Sequence, residues 1–575
     1  MAAAGTFLLV SGAVAQPTLS KLDGQLTAQS SLCSVRSQRA TRVAVIVQTA
    51  GPLTPIMAEQ FRRMGGHIDE EFNVIRGFAG SIPGSSLAQL AKRPWVKHVS
   101  YDQQVKKLDD NANPAIGSDV ANTAFGLEGH NVTVAVLDSG ILVREDLNDP
   151  LTNRNRIVTG PNFSTDATAV DNCGHGTHVA GLIGGDGAMS SGKRDLHTFE
   201  GVAPRTTLLN VKILNSTGAG TVTSALNGIQ WCIQNKVARN IKVINLSMGH
   251  PIGESYKTDP LCQAVEQAWK AGIVVVVAAG NDGRTNPTDP NSAPAFGTIA
   301  SPGNDPCVIT VGATKDMGTP DLKDDLMASY SSHGPSLVDH ILKPDIVAPG
   351  NRMISVAAPN SYLYQTYLQT NSVDRDYYLK HGNDSASKFY YQLSGTSMST
   401  ALVSGAAALL LERDPTLTPD TIKGRLMKTA VKNWNPTISY SPFYQGAGLL
   451  NLPAALASKD IVTGLAVSPA LVRTTSGRIF AQDISGVWGS SALWADSALW
   501  ADSALWADSA LWADSALWAD STGVLWDTSA LWADTQVSSD SALWADSALW
   551  ADSVNTADTS TLHADISTLA ITGEN

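Results

Sequence analysis

This chain has no apolar run that reaches the roughly 18 residues a membrane-crossing helix needs, which argues against a helical membrane span. It is also short of positive charge. Against 52 Asp and Glu there are 40 Lys and Arg, a formal net charge of −12, so nucleic acid is not expected as the main partner. The imbalance is local: ten Asp and no Lys or Arg fall in positions 491–552, and the rest of the chain carries only −2. Cysteine is sparse. Cys33, Cys173, Cys232, Cys262 and Cys307 are spaced in no zinc pattern. Cys33 falls ahead of the main body. For the other four, pairing into disulfides, with at least one bridge expected, and burial as thiols both stand.

The chain does have length and glycine. Its 575 residues exceed what one hydrophobic core organises and point to three or more units. A hydrophobic content of 43% with 48 Gly fits a soluble globular chain with many tight turns. Positions 1–15, MAAAGTFLLVSGAVA, hold a short apolar segment ending in Ala13-Val14-Ala15. That is the small-residue end of a secretory signal remnant, without the usual basic start, and secretion to the extracellular side is the expectation.

Texture divides the rest. Positions 16–41 are Ser, Gln and Thr rich and read as a flexible lead. Positions 42–108 alternate strand and helix patterns: RVAVIVQ, then PIMAEQFRRM as a helix, IRGFAGSIP, a short helix, and VKHVSYD. This approximates a ferredoxin-like β-α-β-β-α-β unit in which one strand is not visible in the pattern. In 113–457, apolar runs of strand length alternate with helical patterns, as expected for a mostly parallel, doubly wound α/β sheet covered on both faces. Strands are expected at 132–138, 207–213, 242–247, 272–279 and 307–313, helices at 222–234 and 260–271. A last helix should open at Thr418-Pro419-Asp420, a cap followed by proline at the first helical position.

Positions 458–490 read as a linker, 491–552 as hexapeptide repeats and 553–575 as a C-terminal tail. SALWAD runs five times in tandem over 491–520, returns at 529–534 and twice more in 541–552. Six residues turn a helix by about 600°, so the Trp residues make no helical stripe. In a strand neither face is cleanly apolar. The repeats read as a solvated low-complexity tail; a stacked β-structure and a surface- or cation-binding element remain open.

Three stretches carry chemistry. VAVLDSGI ends its strand on Asp138. DNCGHGTHVAG holds His175 in a Gly-flanked turn. SGTSMSTA places Ser397 before a long apolar helix. In open α/β sheets ligands sit beyond the carboxyl ends of the strands, where such distant residues can meet. A serine hydroxyl needs a base within hydrogen-bond reach, and the base needs a third group to orient it. Histidine is the side chain whose ordinary range suits such a base, which makes His175 the candidate, and Asp138 can hold its tautomer. A helix N-terminus favours the negative charge that develops at Ser397. Asn281, in AAGND, can donate an amide N–H to an oxyanion. Each motif alone also has a bland reading: a cap, a tight turn, a turn Asn. His175 and His178 at i, i+3 could suggest a metal, but the Glu of an HExxH site is absent. His178 is expected to be a buried structural histidine, and Cys173 a buried thiol.

DSGI, HGTHVAG, NLSMG, AAGN and GTSMS, in that order, resemble the subtilisin-type serine proteases. The resemblance covers 113–457, and 42–108 is similar to that family's inhibitory propeptide. It implies a secreted serine endopeptidase, made as a self-processing zymogen, that acts on proteins or peptides through an acyl-enzyme. The implied triad is Asp138, His175 and Ser397, with Asn281 as oxyanion donor. Ser247, Met248 and Gly249 would pair with substrate backbone, and Gly280 and Ala300 would line the substrate pocket, whose alanine leaves room for a mid-sized apolar side chain; no carboxylate there clearly demands a basic one. The chain's own propeptide would be its intramolecular inhibitor, with self-cleavage expected at 106–115. No cofactor or catalytic metal is implied; structural calcium is admitted without a placed site. The chain departs from the family at Ala401, where the family has Pro, in a longer loop at 184–200, and in an insertion before Ser397 holding seven of the twelve tyrosines. That insertion reads equally as a lid or as a surface hairpin packing its own aromatics. The rival reading is a catalytically inactive surface or binding protein acting through its Trp-rich tail.

Overall fold

The computed structural model describes residues 21–22, 42–72, 76–101, 112–192, 196–319, 321–380, 385–432, 434–435, 441–473, 479–482 and 561–563. The signal remnant, most of the lead with Cys33, most of the expected self-cleavage region and the SALWAD repeats lie outside the described residues. The chain divides into two units, 1–106 and 107–575.

In the first unit β1 (Arg42–Thr49), α1 (Pro55–Arg63), β2 (His67–Phe72), β3 (Gly77–Pro83), α2 (Leu87–Ala91) and β4 (Val96–Tyr101) form a four-stranded sheet in the order β2-β3-β1-β4. RVAVIVQT alternates, so Val43, Val45 and Val47 turn inward together. They meet Phe61 of α1 and Phe78 of β3, whose rings cross edge-on at 4.8 Å. Thr54 caps α1 and proline opens it. The strand hidden in the sequence is β2. HIDEEF is an edge strand with a bulge between Ile68 and Glu70, so its pattern is broken and charged.

The second unit is built on β5 (Thr133–Asp138), β6 (Ile157–Asn162), α3 (His175–Gly184), β7 (Thr207–Lys212), β8 (Ala219–Thr221), α4 (Val222–Asn235), β9 (Ile241–Leu246), α5 (Pro260–Lys270), β10 (Val274–Ala278), β11 (Ile309–Lys315), β12 (Leu326–Met327) and β13 (Ile346–Pro349). The main sheet runs β12-β11-β10-β9-β5-β7-β6, with β13 also on β11. Every pairing is parallel except β11 with β12. β5 is buried along its whole length, as a strand covered on both faces must be. From β5 the chain winds outward to β6 and β7, then crosses through α4 to β9 on the other side of β5. The carboxyl ends of β5 and β9 therefore mark the topological switch point, where open α/β sheets form their ligand crevice.

Next come β14 (Met353–Val356), β15 (Ser372–Asp374) and β16 (Ala386–Leu393), a separate antiparallel sheet in the order β14-β16-β15. α6 (Thr396–Arg413) follows. Every residue from Thr396 to Leu411 is buried, and a helix apolar on all sides belongs inside a core. It packs on α3 and on β9, β10 and β11. α7 (Pro419–Thr429) starts on the Thr418 cap as expected, but α8 (Leu452–Ala457) follows it.

The chain does not become a linker at 458. Val462, Ala466, Val467 and Ser468 are buried, and Ser468 Oγ donates to Asp345 Oδ1 at 2.5 Å. β17 (Ala470–Arg473) and β18 (Ile479–Gln482) then form a hairpin, and a late segment, β19 (Thr561–His563), pairs with β8. Cys173, Cys232, Cys262 and Cys307 are all buried and free, which overturns the expected bridge. Each thiol fills space in a close-packed interior.

Candidate active site

Asp138 is the last residue of β5 and fully buried. His175 opens α3, and its Nδ1 lies 2.8 Å from Asp138 Oδ1 and 3.0 Å from Oδ2. The ring is 3% exposed. With Nδ1 donating to the carboxylate, Nε2 is the ring atom that can take a proton. The pairing needs the glycine that follows: a Cβ at Gly176 would stand 2.2 Å from the Gly140 carbonyl and 3.1 Å from Asp138 Oδ1.

The turn that presents His175 is organised by a residue to which the sequence reading gave no role. Asp171 Oδ1 accepts from Ser139 Oγ, the Cys173 N–H and the Gly174 N–H, and Oδ2 from the Thr177 N–H and hydroxyl, at 2.6–3.1 Å. Five donors on one buried carboxylate lock the loop ahead of α3. The signal was the Asp that opens DNCGHGTH, a residue type suited to collecting turn amides.

Ser397 is the second residue of α6. Its Oγ donates to the Ser247 carbonyl at 3.2 Å, and Ser247 Oγ donates back to the Ser397 carbonyl at 3.0 Å. Asn245 Nδ2 donates to Ser247 Oγ, and Ser404 Oγ donates to Asn245 Oδ1, so a buried polar chain ties β9 to α6. The other hydroxyls of SGTSMSTA have structural tasks. Ser394 accepts the Arg352 N–H, Thr396 accepts the Gly280 N–H, Ser399 donates to the Ala348 carbonyl and Thr400 to that of Thr396. α3 and α6, which begin at His175 and one residue before Ser397, pack on each other.

Asn281 Oδ1 accepts the Thr396 N–H at 2.9 Å. Its Nδ2 is buried without a protein partner, and a Cβ built on Gly395 would stand 2.9 Å from it. A buried donor with no acceptor, beside the backbone turn that leads into Ser397, is what a site for a transient anion requires. Gly249, Gly280 and Ala300 meet at a cavity of about 370 Å³ that Met248, Ile299 and Leu337 also line. The Ala300 Cβ would lie 2.8 Å from a Cβ on Gly249 and 3.4 Å from one on Gly280, so that wall is closed by small residues. Asp282 is also on the lining, a carboxylate the sequence reading had not placed there.

A model of the subtilase family matches residues 129–448. The chain belongs to the subtilase family. This subtilase is 37% identical over 395 residues to Serine protease AprX of Bacillus subtilis (strain 168), covering 67% of the chain and 80% of that protein. It is 32% identical over 395 residues to Subtilisin E of the same organism, covering 68% and 83%. It is 31% identical over 402 residues to an extracellular serine proteinase of Thermus sp. (strain Rt41A), covering 66% and 79%. The protein is a subtilisin-like serine endopeptidase, a hydrolase with the α/β fold of its family, and that chemistry needs no cofactor.

The subtilase's two large departures pack on each other. Tyr378 and Tyr390 of the insertion are buried with Phe199 of the long loop, and Tyr390 Oη donates to Ser190 Oγ at 2.8 Å. The start of the insertion also braces the His175 turn: the Tyr362 and Leu363 amides donate to the carbonyls of Asn172 and Cys173. This favours the packed-aromatic reading of the insertion. Ala401 is buried inside α6, where, unlike proline, it keeps its helical N–H. His178 Nε2 faces the carbonyls of Met353 and Tyr391, and burial pushes its pKa down to about 3, so it stays neutral. Burial pushes the Cys173 thiol up, away from reactivity. Among the described residues, one group of three His, Cys, Asp or Glu ligand atoms lies within 4.8 Å: Glu266, Asp305 and Cys307. A set containing a thiol does not fit the all-oxygen preference of calcium, so no calcium site is assigned.

Proposed function

We propose that Ser397 is the nucleophile, His175 the general base and acid, Asp138 its orienting partner, and Asn281 with the Ser397 N–H the oxyanion donors. The Ser397 Oγ–H proton passes to His175 Nε2 as Oγ bonds the substrate carbonyl carbon. The carbonyl oxygen takes the negative charge and accepts from Asn281 Nδ2. His175 then gives its proton to the leaving amine, and the C–N bond breaks to an acyl-enzyme. Water, deprotonated by His175, hydrolyses the ester and restores Ser397. The observation that carries this reading is the buried Asp138–His175 pair together with the unpartnered Asn281 amide.

Substrates are proteins or peptides that pair with the Ser247-Met248-Gly249 strip and place a mid-sized apolar side chain in the cavity closed by Gly280 and Ala300. The enzyme is made as a zymogen and secreted. Positions 42–108 act as the propeptide, assisting folding of the body and blocking its groove until self-cleavage at 106–115. A fluorophosphonate probe tests the chemistry: it should label mature protein at Ser397 and leave Ser397→Ala unlabelled and full-length. Absence of label in the mature protein would return the inactive binding reading. Maturation of purified Ser397→Ala would end the self-processing reading.

A further inference from the structure

The sheet brings two backbone edges out on either side of the Asp138 strand. β9 and β7 flank β5, and the chain leaves β9 into Ser247–Gly249 and leaves β7 toward β8. β8 stays close to the site. The Ile213 and Leu214 amides both donate to the Asp138 carbonyl, at 2.8 and 3.2 Å. The turn that follows closes with the Asn215 N–H on the Ala219 carbonyl. Gly220 then lies back over this segment, where a Cβ would stand 2.7 Å from the Ile213 carbonyl oxygen. β8 is therefore one residue layer from the catalytic aspartate, at the carboxyl end of the sheet.

β8 reads Ala-Gly-Thr, so it offers backbone with little side chain. It belongs to no larger sheet: among the described residues its one strand partner is β19, antiparallel, with Thr561 opposite Thr221, Leu562 opposite Gly220 and His563 opposite Ala219. An open edge of this kind accepts an extended peptide by strand addition. We infer that the chain's own C-terminal segment at 561–563 docks on β8 and occupies part of the substrate groove as an intramolecular competitor. The occupant follows from the pairing in register, and the site follows from Gly220's close approach to Ile213, whose amide donates to the Asp138 carbonyl. The inference rests on the catalytic reading above.

A tethered segment has a local concentration on the order of millimolar, so a strand that pairs with a Kd of about a millimolar is about half docked. A peptide long enough to use β8 must displace it. The tail should therefore raise KM for long substrates and leave kcat alone. The test compares mature full chain with Thr561→Pro/Leu562→Pro. Alternate amides of a strand point to its partner, so removing two adjacent N–H groups breaks the ladder whichever one bonds. Both proteins are first titrated with a fluorophosphonate to count active Ser397. In equally labelled enzymes the variant should show a KM for a peptide of eight or so residues lower by about two- to tenfold, with kcat unchanged. A synthetic peptide spanning 556–568 should inhibit the variant competitively. A small chromogenic ester, too short to reach β8, should be cleaved alike by both. Equal KM values for the long peptide in labelled enzymes overturn the inference alone. No label in either protein overturns the catalytic reading beneath it.

Discussion

The sharpest consequence of the geometry concerns Asn281. One end of its amide is committed to folding, because Oδ1 holds the Thr396 N–H at the start of α6. The other end is buried with no protein partner, so no protein group has to give it up when an acceptor arrives. Asn281→Ala should therefore lower kcat by about a hundred- to a thousandfold, or about 2.7–4 kcal/mol of transition-state stabilisation, with KM nearly unchanged. Gly395→Ala offers an independent check. Its methyl would sit 2.9 Å from Nδ2, on a backbone with φ of 145° that side chains rarely adopt. It should lower kcat comparably, and the double variant should lose little more than the worse single one, since both remove the same donor. The assay is steady-state hydrolysis of a chromogenic peptide by fluorophosphonate-titrated enzyme, with thermal unfolding to confirm the fold. A kcat for Asn281→Ala within about tenfold of the parent, or a loss confined to KM, would refute the reasoning.

Three further outcomes follow from buried charges. Asp171→Asn keeps the shape but strips acceptor capacity from a carboxylate holding five donors, so it should cost about 2–4 kcal/mol and lower kcat by loosening His175; unchanged unfolding and kcat would contradict it. Asp345 is buried between Lys343 and Lys423, at 2.7 and 3.3 Å, so Asp345→Ala leaves two buried cations unpaired and should destabilise by about 3–5 kcal/mol in denaturant titrations; a loss below about 1 kcal/mol would count against this reading. Asp325 has neither carboxylate oxygen paired, and burial, with Asp316, Asp324 and Asp321 nearby, raises its pKa from 3.8 to about 7. Its folded pKa is above its unfolded one, so its contribution to stability is full below about pH 4 and is lost as pH rises through about 7. Asp325→Asn should thus raise the unfolding temperature at pH 8 relative to the parent and bring no such gain at pH 4; equal gains at both would exclude a titration effect.

The sequence alone determined five strands of the main sheet and pointed to the residues at their ends. β5, β7, β9, β10 and β11 were legible because strands buried on both faces must be continuously apolar, a local property. Asp138, His175, Asn281 and Ser397 stood out because five short motifs stand in one order, and the structure pairs His175 with Asp138. Tertiary structure decided the rest. β2 and β8 are short or charged edges, whose identity comes from a partner strand far away in sequence. Ser468 looked like linker until Asp345 and Lys423 were found beneath it. The cysteines, the tyrosine-rich insertion and Asp282 take their roles from what surrounds them, and a linear pattern does not encode surroundings. Local periodicity selects secondary structure; the desolvation, pairing and strand addition that set each group's chemistry arise only when distant segments converge.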